Sequence, residues 1–536
     1  MRRVDEHGGR ATGQSRPRAG RGRSRLTCAG HQTTTAPTCA RPCAQIARFP
    51  EVSDGSFERE CTGLVTSTQR IPGARCPIPR PGASPDQAEN ALQRPVTGSR
   101  TWRYTRRIED ITEGYRRVNT RSRRSILAGL PASIGLAGLV LSACGGSEGS
   151  SAAPAAGGAP AAGAAPKGAP VKIGASVSTT GSNGKTGQYQ VEAYQLWAEQ
   201  INTRGGLLGR PVEMVILDDQ SDPTVGTKLY EKLINEDKVD LVLGPYSSGV
   251  TQAVSTVTEK YKYPLLSAGA SASDIWKRNY KYVFGVYSVA ESYFYGVIDL
   301  AKKSGYQTIA IVNEDTVFPK ATAAGTAEYA RKQGMRIVFQ EQYPTKVTDL
   351  SSLITKVKAA KPEVLVGGSY QPDSVLLTRQ AKELDLNVKM LGFSVGAAMP
   401  EFGEGLGKDA DFVFGPSMWE PSLKTKGNTE FFDTYKKKWN REPDYHSATG
   451  FAGGQILEAA VGKAKSLDRE KIREALATLE IETVLPGKYK VDDTGTQTAH
   501  IPVVIQWQGK DKPVISPDSM ANGKPKLPMP EWKARA

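Results

Sequence analysis

From residue 171 onward the apolar positions alternate between two periods. "VKIGASVS" (171–178) is a short apolar run of the kind a buried strand needs. The stretch 187–206 then repeats Val191, Tyr194, Trp197, Ala198 and Ile201 at helical spacing and ends on glycines, which predicts a helix. "PVEMVILDD" (211–219) is the next strand. Asp222-Pro223 follows as an N-cap with a first-turn proline, opening a helix that carries Val225, Leu229 and Leu233 on one face. Strand 239–245, helix 248–261 and strand 263–270 continue the alternation. After Val289 the rhythm restarts with helix 292–305, strand 308–314, helix 319–334, strand 336–344, helix 349–360, strand 364–370, helix 372–385 and strand 388–393. Past residue 414 the pattern turns helical, over 429–440, 450–466 and 468–479, before a strand-like run at 501–509. Strands alternating with amphipathic helices predict parallel sheets covered on both faces. Two such series predict an α/β protein of two lobes.

Charge changes the picture only at the front of the chain. The 536 residues carry a formal net charge of +15, but residues 1–143 alone hold 24 arginines, no lysine and 11 acidic residues. The remainder is close to neutral, which argues against nucleic acid as a partner of the folded body. Five of the six cysteines also lie in that first segment, and "CARPC" (39–43) has metal-like spacing without the second ligand pair a zinc site needs. No metal centre and no cofactor are expected. Residues 1–117, rich in Arg, Gly, Pro and Ser, are read as a disordered or untranslated extension, with Val118 as a candidate start.

Residues 118–143 read as an export signal. "SRRSIL" (122–127) resembles the twin-arginine motif, the apolar run after it is short for a membrane span, and "LSAC" (141–144) resembles a bacterial lipobox. Cys144 is therefore the expected lipidation site and mature N-terminus. The Gly/Ala/Pro/Ser stretch that reaches residue 170 is a flexible tether. Lipid anchor, tether and body follow in that order, and place the protein outside the cytoplasm, attached to a membrane or periplasmic.

The loops at the carboxyl ends of the strands carry the candidate chemistry, because ligands of open α/β sheets bind there. "GPYSSG" (244–249) closes a strand and opens a helix, so Ser247 and Ser248 present hydroxyls beside a helix N-terminus; "SAGASAS" (267–273) repeats this one strand later. Plain N-capping by serine produces the same pattern.

Residues 171–515 resemble a type I periplasmic solute-binding protein of the branched-chain amino acid (leucine-type) group. The resemblance rests on "VKIGASVSTTGSNGKTGQ", "INTRGGLLGRPVEMVILDDQSDP", "LVLGPYSSG", "PLLSAGASAS", "VLVGGSYQPD" and "MLGFSVG". It implies a two-lobed clamshell that holds a small amino acid, amide or carboxylate in its cleft and delivers it, as a monomer, to an ABC permease, with no catalysis. It divides the body into a first lobe (171–288), a second lobe (289–413), a return to the first (414–490), closing strands for the second (491–515) and a tail (516–536). It also implies a site: Thr186 from the first loop, Ser247, Ser248 and Ser271 with the backbone of Gly269 and Ala270 around a carboxylate, and Phe318 and Tyr370 closing from the second lobe. Where leucine-type binders place a glutamate for the ligand ammonium, this chain has Ser394. A buried ammonium without a carboxylate is costly, so a ligand lacking that group is favoured.

Other readings are weaker. "NGKTG" (183–187) imitates a phosphate loop but has Thr179 where the first glycine belongs. A secreted hydrolase would have to find its base in His446 or His500, the two histidines beyond Cys144. A sensing clamshell would need a signalling partner, and no output domain is attached to the lobes.

Overall fold

The computed structural model describes residues 165–535; the N-terminal extension, the export signal and Cys144 lie outside the described residues. Two sheets organise the body. The first contains β1 (Val171–Val177), β2 (Val212–Asp218), β3 (Leu241–Leu243), β4 (Leu265–Ser267) and β5 (Val283–Gly285) in the order β2-β1-β3-β4-β5, all parallel. Helices α1 (Gly184–Thr203), α2 (Pro223–Asn235) and α3 (Ser248–Lys260) connect its strands. The expected cap of α2 is formed: the Asp222 carboxylate accepts from the backbone N–H of Thr224 at 2.7 Å and of Val225 at 3.0 Å.

The second sheet has seven strands in the order β12-β11-β10-β9-β8-β6-β7. They are β6 (Thr308–Glu314), β7 (Arg336–Tyr343), β8 (Val364–Gly368), β9 (Met390–Phe393), β10 (Phe414–Ser417), β11 (Val503–Gln506) and β12 (Val514–Ser516). Helices α4 (Tyr295–Lys303), α5 (Val317–Lys332), α6 (Ser351–Ala360), α7 (Gln371–Glu383) and α8 (Pro400–Leu406) belong to this lobe. Strand β11 runs antiparallel to both β10 and β12, because the chain enters this sheet for the last time from the opposite end. The return to the first lobe consists of α9 (Asn428–Trp439), α10 (Tyr445–Ala464) and α11 (Arg469–Ala477).

Three segment boundaries differ from expectation. Strand β10 pairs with β9 and β11, so residues 414–417 belong to the second sheet and the return begins after them. Residues 491–500 stay with the first lobe: the Gly285 N–H donates to the Gly495 carbonyl at 2.8 Å, and Val491 sits in the first-lobe core. The segment expected as a tail is packed, with Trp532 buried and its indole N–H donating to the Leu386 carbonyl at 2.9 Å.

Helix α10 lies against α1, and a glycine sets how closely. A Cβ on Gly454 would stand 2.3 Å from the Trp197 ring, so only hydrogen fits there. The largest apolar cluster runs from Trp197 and Tyr246 in the first lobe to Phe318, Val395 and Met399 in the second. The lobes are thus packed together, with the cleft between them shut.

Candidate ligand cleft

The carboxyl ends of β3 and β4 face the second lobe across a small cavity of about 10 Å³. Helix α3 begins beside it. Ser247 caps that helix, accepting from the Val250 N–H at 3.3 Å, and Ser248 is its first residue. Gly269 follows β4. A Cβ there would stand 2.2 Å from Gln190 Oε1 and 2.6 Å from the Tyr246 Cα, so the loop closes on the neighbouring strand end only with glycine. Tyr246 precedes the two serines and lines the cavity with them.

The opposite wall is aromatic. Phe318, in the first turn of α5, meets Tyr293 edge-on at 5.1 Å between centroids and Tyr370 at 5.6 Å. Tyr287 and Tyr293 come from the first crossing between lobes, and Val395 from the loop after β9. The return helix α10 adds Tyr445 and His446 at its N-terminus. Burial pushes the phenols of Tyr246, Tyr287, Tyr370 and Tyr445 well above their usual range, and that of Tyr293 to about 12. At neutral pH each of these hydroxyls keeps its proton and can both donate and accept.

His446 is held from behind. Its Nδ1 donates to Asp444 Oδ2 at 2.6 Å, and its Nε2 faces the Tyr246 hydroxyl at 3.3 Å. Asp444 also caps α10, accepting from the Ser447 N–H at 3.0 Å. Burial raises this carboxyl, but His446 and the Ser447 N–H outweigh burial and hold it below the usual carboxylate range. In the second lobe, Glu314 is pushed up to about 8 by burial and then by Asp373, and Tyr343 donates to Asp373 at 3.4 Å.

Of the residues expected at the site, Ser247, Ser248, Gly269, Phe318 and Tyr370 line the cavity together. Four do not. Thr186 points to Met399 Sδ at 3.8 Å and bridges the lobes beside the cleft. Ala270 is in the first-lobe core, its carbonyl accepting from Ser267 at 2.8 Å. Ser271 lies one step back, donating to the Tyr293 hydroxyl at 3.4 Å. Ser394 is a loop staple: its hydroxyl donates to the Ser369 carbonyl at 2.8 Å and accepts from the Ser369 N–H at 2.9 Å. Both hydrogen-bonding roles of Ser394 are therefore engaged away from the cavity.

In the sequence Tyr370 stands among the expected contacts and His446 only as a hydrolase base; the other tyrosines of the wall carry no expectation as ligand contacts. Tyr246 stands next to the two serines and was within reach of the loop argument; His446 arrives from a helix 200 residues away and carries no local signal. The hydrolase reading is set aside on the expectation that the chain has no Gly-x-Ser-x-Gly elbow, and that expectation is corrected here: "GFSVG" (392–396) has this spacing. Its serine is engaged with Ser369, while His446 is tied to Asp444 and His500 to Ser288 and Met418, so no Ser–His pair exists there.

Comparison with known proteins adds to this geometry. A family model described as "Periplasmic binding protein" matches residues 170–512. Leu/Ile/Val-binding protein homolog 7 of Brucella suis is 27% identical over 361 residues, covering 64% of this chain and 90% of that protein. A crystal structure of a leucine-binding protein from Thermotoga maritima superposes with a TM-score of 0.60 at 22% identity, over 65% of this chain and 100% of that one. A branched-chain amino acid transporter substrate-binding protein from Streptococcus pneumoniae, in complex with isoleucine, gives 0.59 at 22% identity, again over 65% and 100%.

Proposed function

The chain belongs to the periplasmic binding protein family, and from that premise we propose that it is an extracytoplasmic lipoprotein that captures a small amino acid, amide or carboxylate and hands it to an ABC importer. Its task is binding and release, not catalysis. The observation that carries this reading is the small cavity whose walls come from both lobes, with Ser248 and Tyr246 on one side and Phe318 and Tyr370 on the other. A solute held there touches both lobes at once, so it stabilises the closed form by its differential contacts. The closed shape is then what a permease partner would read.

Ser248 is the central polar group of the first-lobe wall. Its Oγ accepts from the N–H groups of Ser271 and Ala272 at 3.2 Å each, which leaves its own proton to donate. Attachment to the membrane is carried by Cys144 and the tether after it. Two measurements test the proposal. A thermal-shift screen of amino acids, amides and small acids should find a stabilising solute, and a screen without a hit speaks against solute capture. Membrane fractionation of Cys144→Ser should find the protein released, and unchanged partitioning counts against the lipid anchor.

A further inference from the structure

The turn between α1 and β2 carries a side chain that its geometry does not favour. Leu207 and Arg210 exchange both backbone hydrogen bonds, each at 2.9 Å, so Leu208 and Gly209 are the two central residues of a tight turn. Both have positive φ, 52° at Leu208 and 77° at Gly209. Asn, Asp or Gly suits such a position, whereas the left-handed conformation crowds the Cβ of a leucine. Leu208 is also 46% exposed, and among the described residues only it and Ile501 are large apolar side chains left in the open. The fold thus keeps a leucine at a tip where it fits poorly and packs little.

The chain that leads to Cys144 docks on this same turn. The Lys167 N–H donates to the Gly209 carbonyl at 2.8 Å. Arg210 donates from Nε to the Ala169 carbonyl at 2.8 Å and from Nη2 to the Pro170 carbonyl at 3.0 Å. Whatever course residues 145–164 take, Cys144 lies within about 70 Å of Ala165, the length of that chain fully extended. Charge points the same way. No Asp or Glu occurs in 165–170 or 203–211. Arg204 is paired with Glu458 at 2.8 Å, but Arg210 is held by neutral carbonyls and Lys167 forms no ion pair among the described residues. The turn precedes the amino end of β2, while the cleft lies at the carboxyl ends of β3 and β4 in the same parallel sheet. A surface that meets the turn therefore leaves the cleft uncovered.

We propose that this turn is a membrane-contact tip: Leu208 enters the interface of the lipid surface that carries Cys144, and Lys167 and Arg210 meet anionic headgroups there. The inference rests on the lipid-anchor reading above. The anchor supplies attachment and holds the tip at high local concentration, so one leucine and two cations orient the first lobe without having to bind a membrane unaided.

Hydrogen exchange of residues 203–211, followed by mass spectrometry on the full chain, reads the contact locally. Wild type and Leu208→Gly are compared on vesicles of phosphatidylglycerol and phosphatidylcholine in equal parts, each against its Cys144→Ser counterpart free in solution. Glycine is at ease at this φ, so the variant keeps the fold. The wild-type segment is expected to exchange about threefold slower or more on the vesicles, the factor that burying half a leucine side chain gives. Leu208→Gly is expected to show little slowing. Slowing that survives Leu208→Gly, no slowing in a protein that floats with the vesicles, or equal slowing on phosphatidylcholine alone overturns the inference. Slowing seen only on native membranes also overturns it and assigns the turn to a membrane protein. Flotation reads the anchor separately: wild type that does not float ends the anchor reading and the tip together.

Discussion

His500 donates its Nε2 proton to the Met418 carbonyl at 3.0 Å, while its Nδ1 accepts from the Ser288 N–H at 3.3 Å. Ser288 lies on the first crossing between the lobes, Met418 on the second, and His500 itself on the third. One buried imidazole therefore ties together the three segments that join the lobes. The partners fix its form: a carbonyl requires a proton on Nε2, and a backbone N–H requires a bare Nδ1. The ring must be neutral.

That requirement predicts a pH dependence. Burial lowers the His500 pKa from the usual 6.5 to about 4. In the unfolded chain the ring takes up a proton first as pH falls, so stability is complete above 6.5 and is lost between 6.5 and about 4. The loss from this group amounts to roughly 3 kcal/mol at about 1.4 kcal/mol per unit. Urea unfolding at pH 7, 6 and 5 measures it. His500→Gln should be less stable than wild type at pH 7 and should show a shallower decline toward pH 5. Parallel declines in the two proteins would remove His500 as the cause.

Glu314 gives the opposite slope. Burial and then Asp373 raise its carboxyl to about 8 from 4.5. The folded form therefore binds a proton that the unfolded chain has released, and stability falls as pH rises from about 4.5 through 8. Glu314→Gln keeps the shape without the charge. Its melting temperature relative to wild type should rise from about pH 5 to 8 and level off above that, and a constant difference across that range contradicts the assignment.

How much of this was legible beforehand depended on whether the signal was local. The cap of α2 was readable because Asp222 and Pro223 are adjacent and each has one favoured role at a helix start. The β3–α3 loop was readable for the same reason, since Ser247 caps α3 from within the motif. Strand β10 was not, because "FGPS" has neither alternation nor a run of β-branched residues and becomes a strand through its neighbours β9 and β11. The assignment of residues 491–500 failed similarly: a short polar turn is held to β5 by backbone contacts such as Gly285 to Gly495. Tyr293 and Tyr445 line the cavity and also belong to the apolar core, so no local pattern separates the two roles. Ser394 shows the converse error. Position suggested a ligand contact, and the hydroxyl is engaged with Ser369 instead.

Ser394 and Ser248 should therefore respond differently to substitution. Ser394→Ala leaves the buried Ser369 N–H unpaired and should cost about 1–3 kcal/mol of stability, with a smaller effect on solute affinity. Ser394→Glu should destabilise the loop rather than create an ammonium site, since the residue is fully buried and the loop depends on its hydroxyl. Ser248→Ala removes the acceptor for two N–H groups and the donor facing the cleft, so both stability and affinity should fall. Chemical denaturation and calorimetry on the same preparations separate the two patterns. Equal effects of Ser394→Ala and Ser248→Ala on affinity would place both hydroxyls at the solute.

A last prediction concerns closure. The Tyr189 hydroxyl in α1 donates to Glu401 Oε1 in α8 at 2.6 Å, across the lobes, and the other carboxyl oxygen, Oε2, is buried without a partner. Burial raises the Glu401 carboxyl; the Tyr189 hydroxyl lowers it, with Asp444 raising it and Arg441 lowering it from further off. The Arg441 guanidinium itself stacks over the Tyr189 ring at 3.8 Å. Tyr189→Phe preserves that stacking and removes the hydroxyl. In the closed form Glu401 then loses its donor, whereas in an open form water supplies one. The variant should be more open, with a larger radius of gyration by small-angle scattering. A hydrogen bond to a charged group contributes about 1.5–3 kcal/mol, so solute affinity should fall by about tenfold or more. The loss should shrink as pH falls, because the closed form holds a raised carboxyl pKa and a protonated Glu401 needs no donor. Glu401→Gln in the Tyr189→Phe background should recover part of the affinity at pH 7 for the same reason. If Tyr189→Phe leaves scattering and affinity unchanged, the contact follows closure and does not stabilise it.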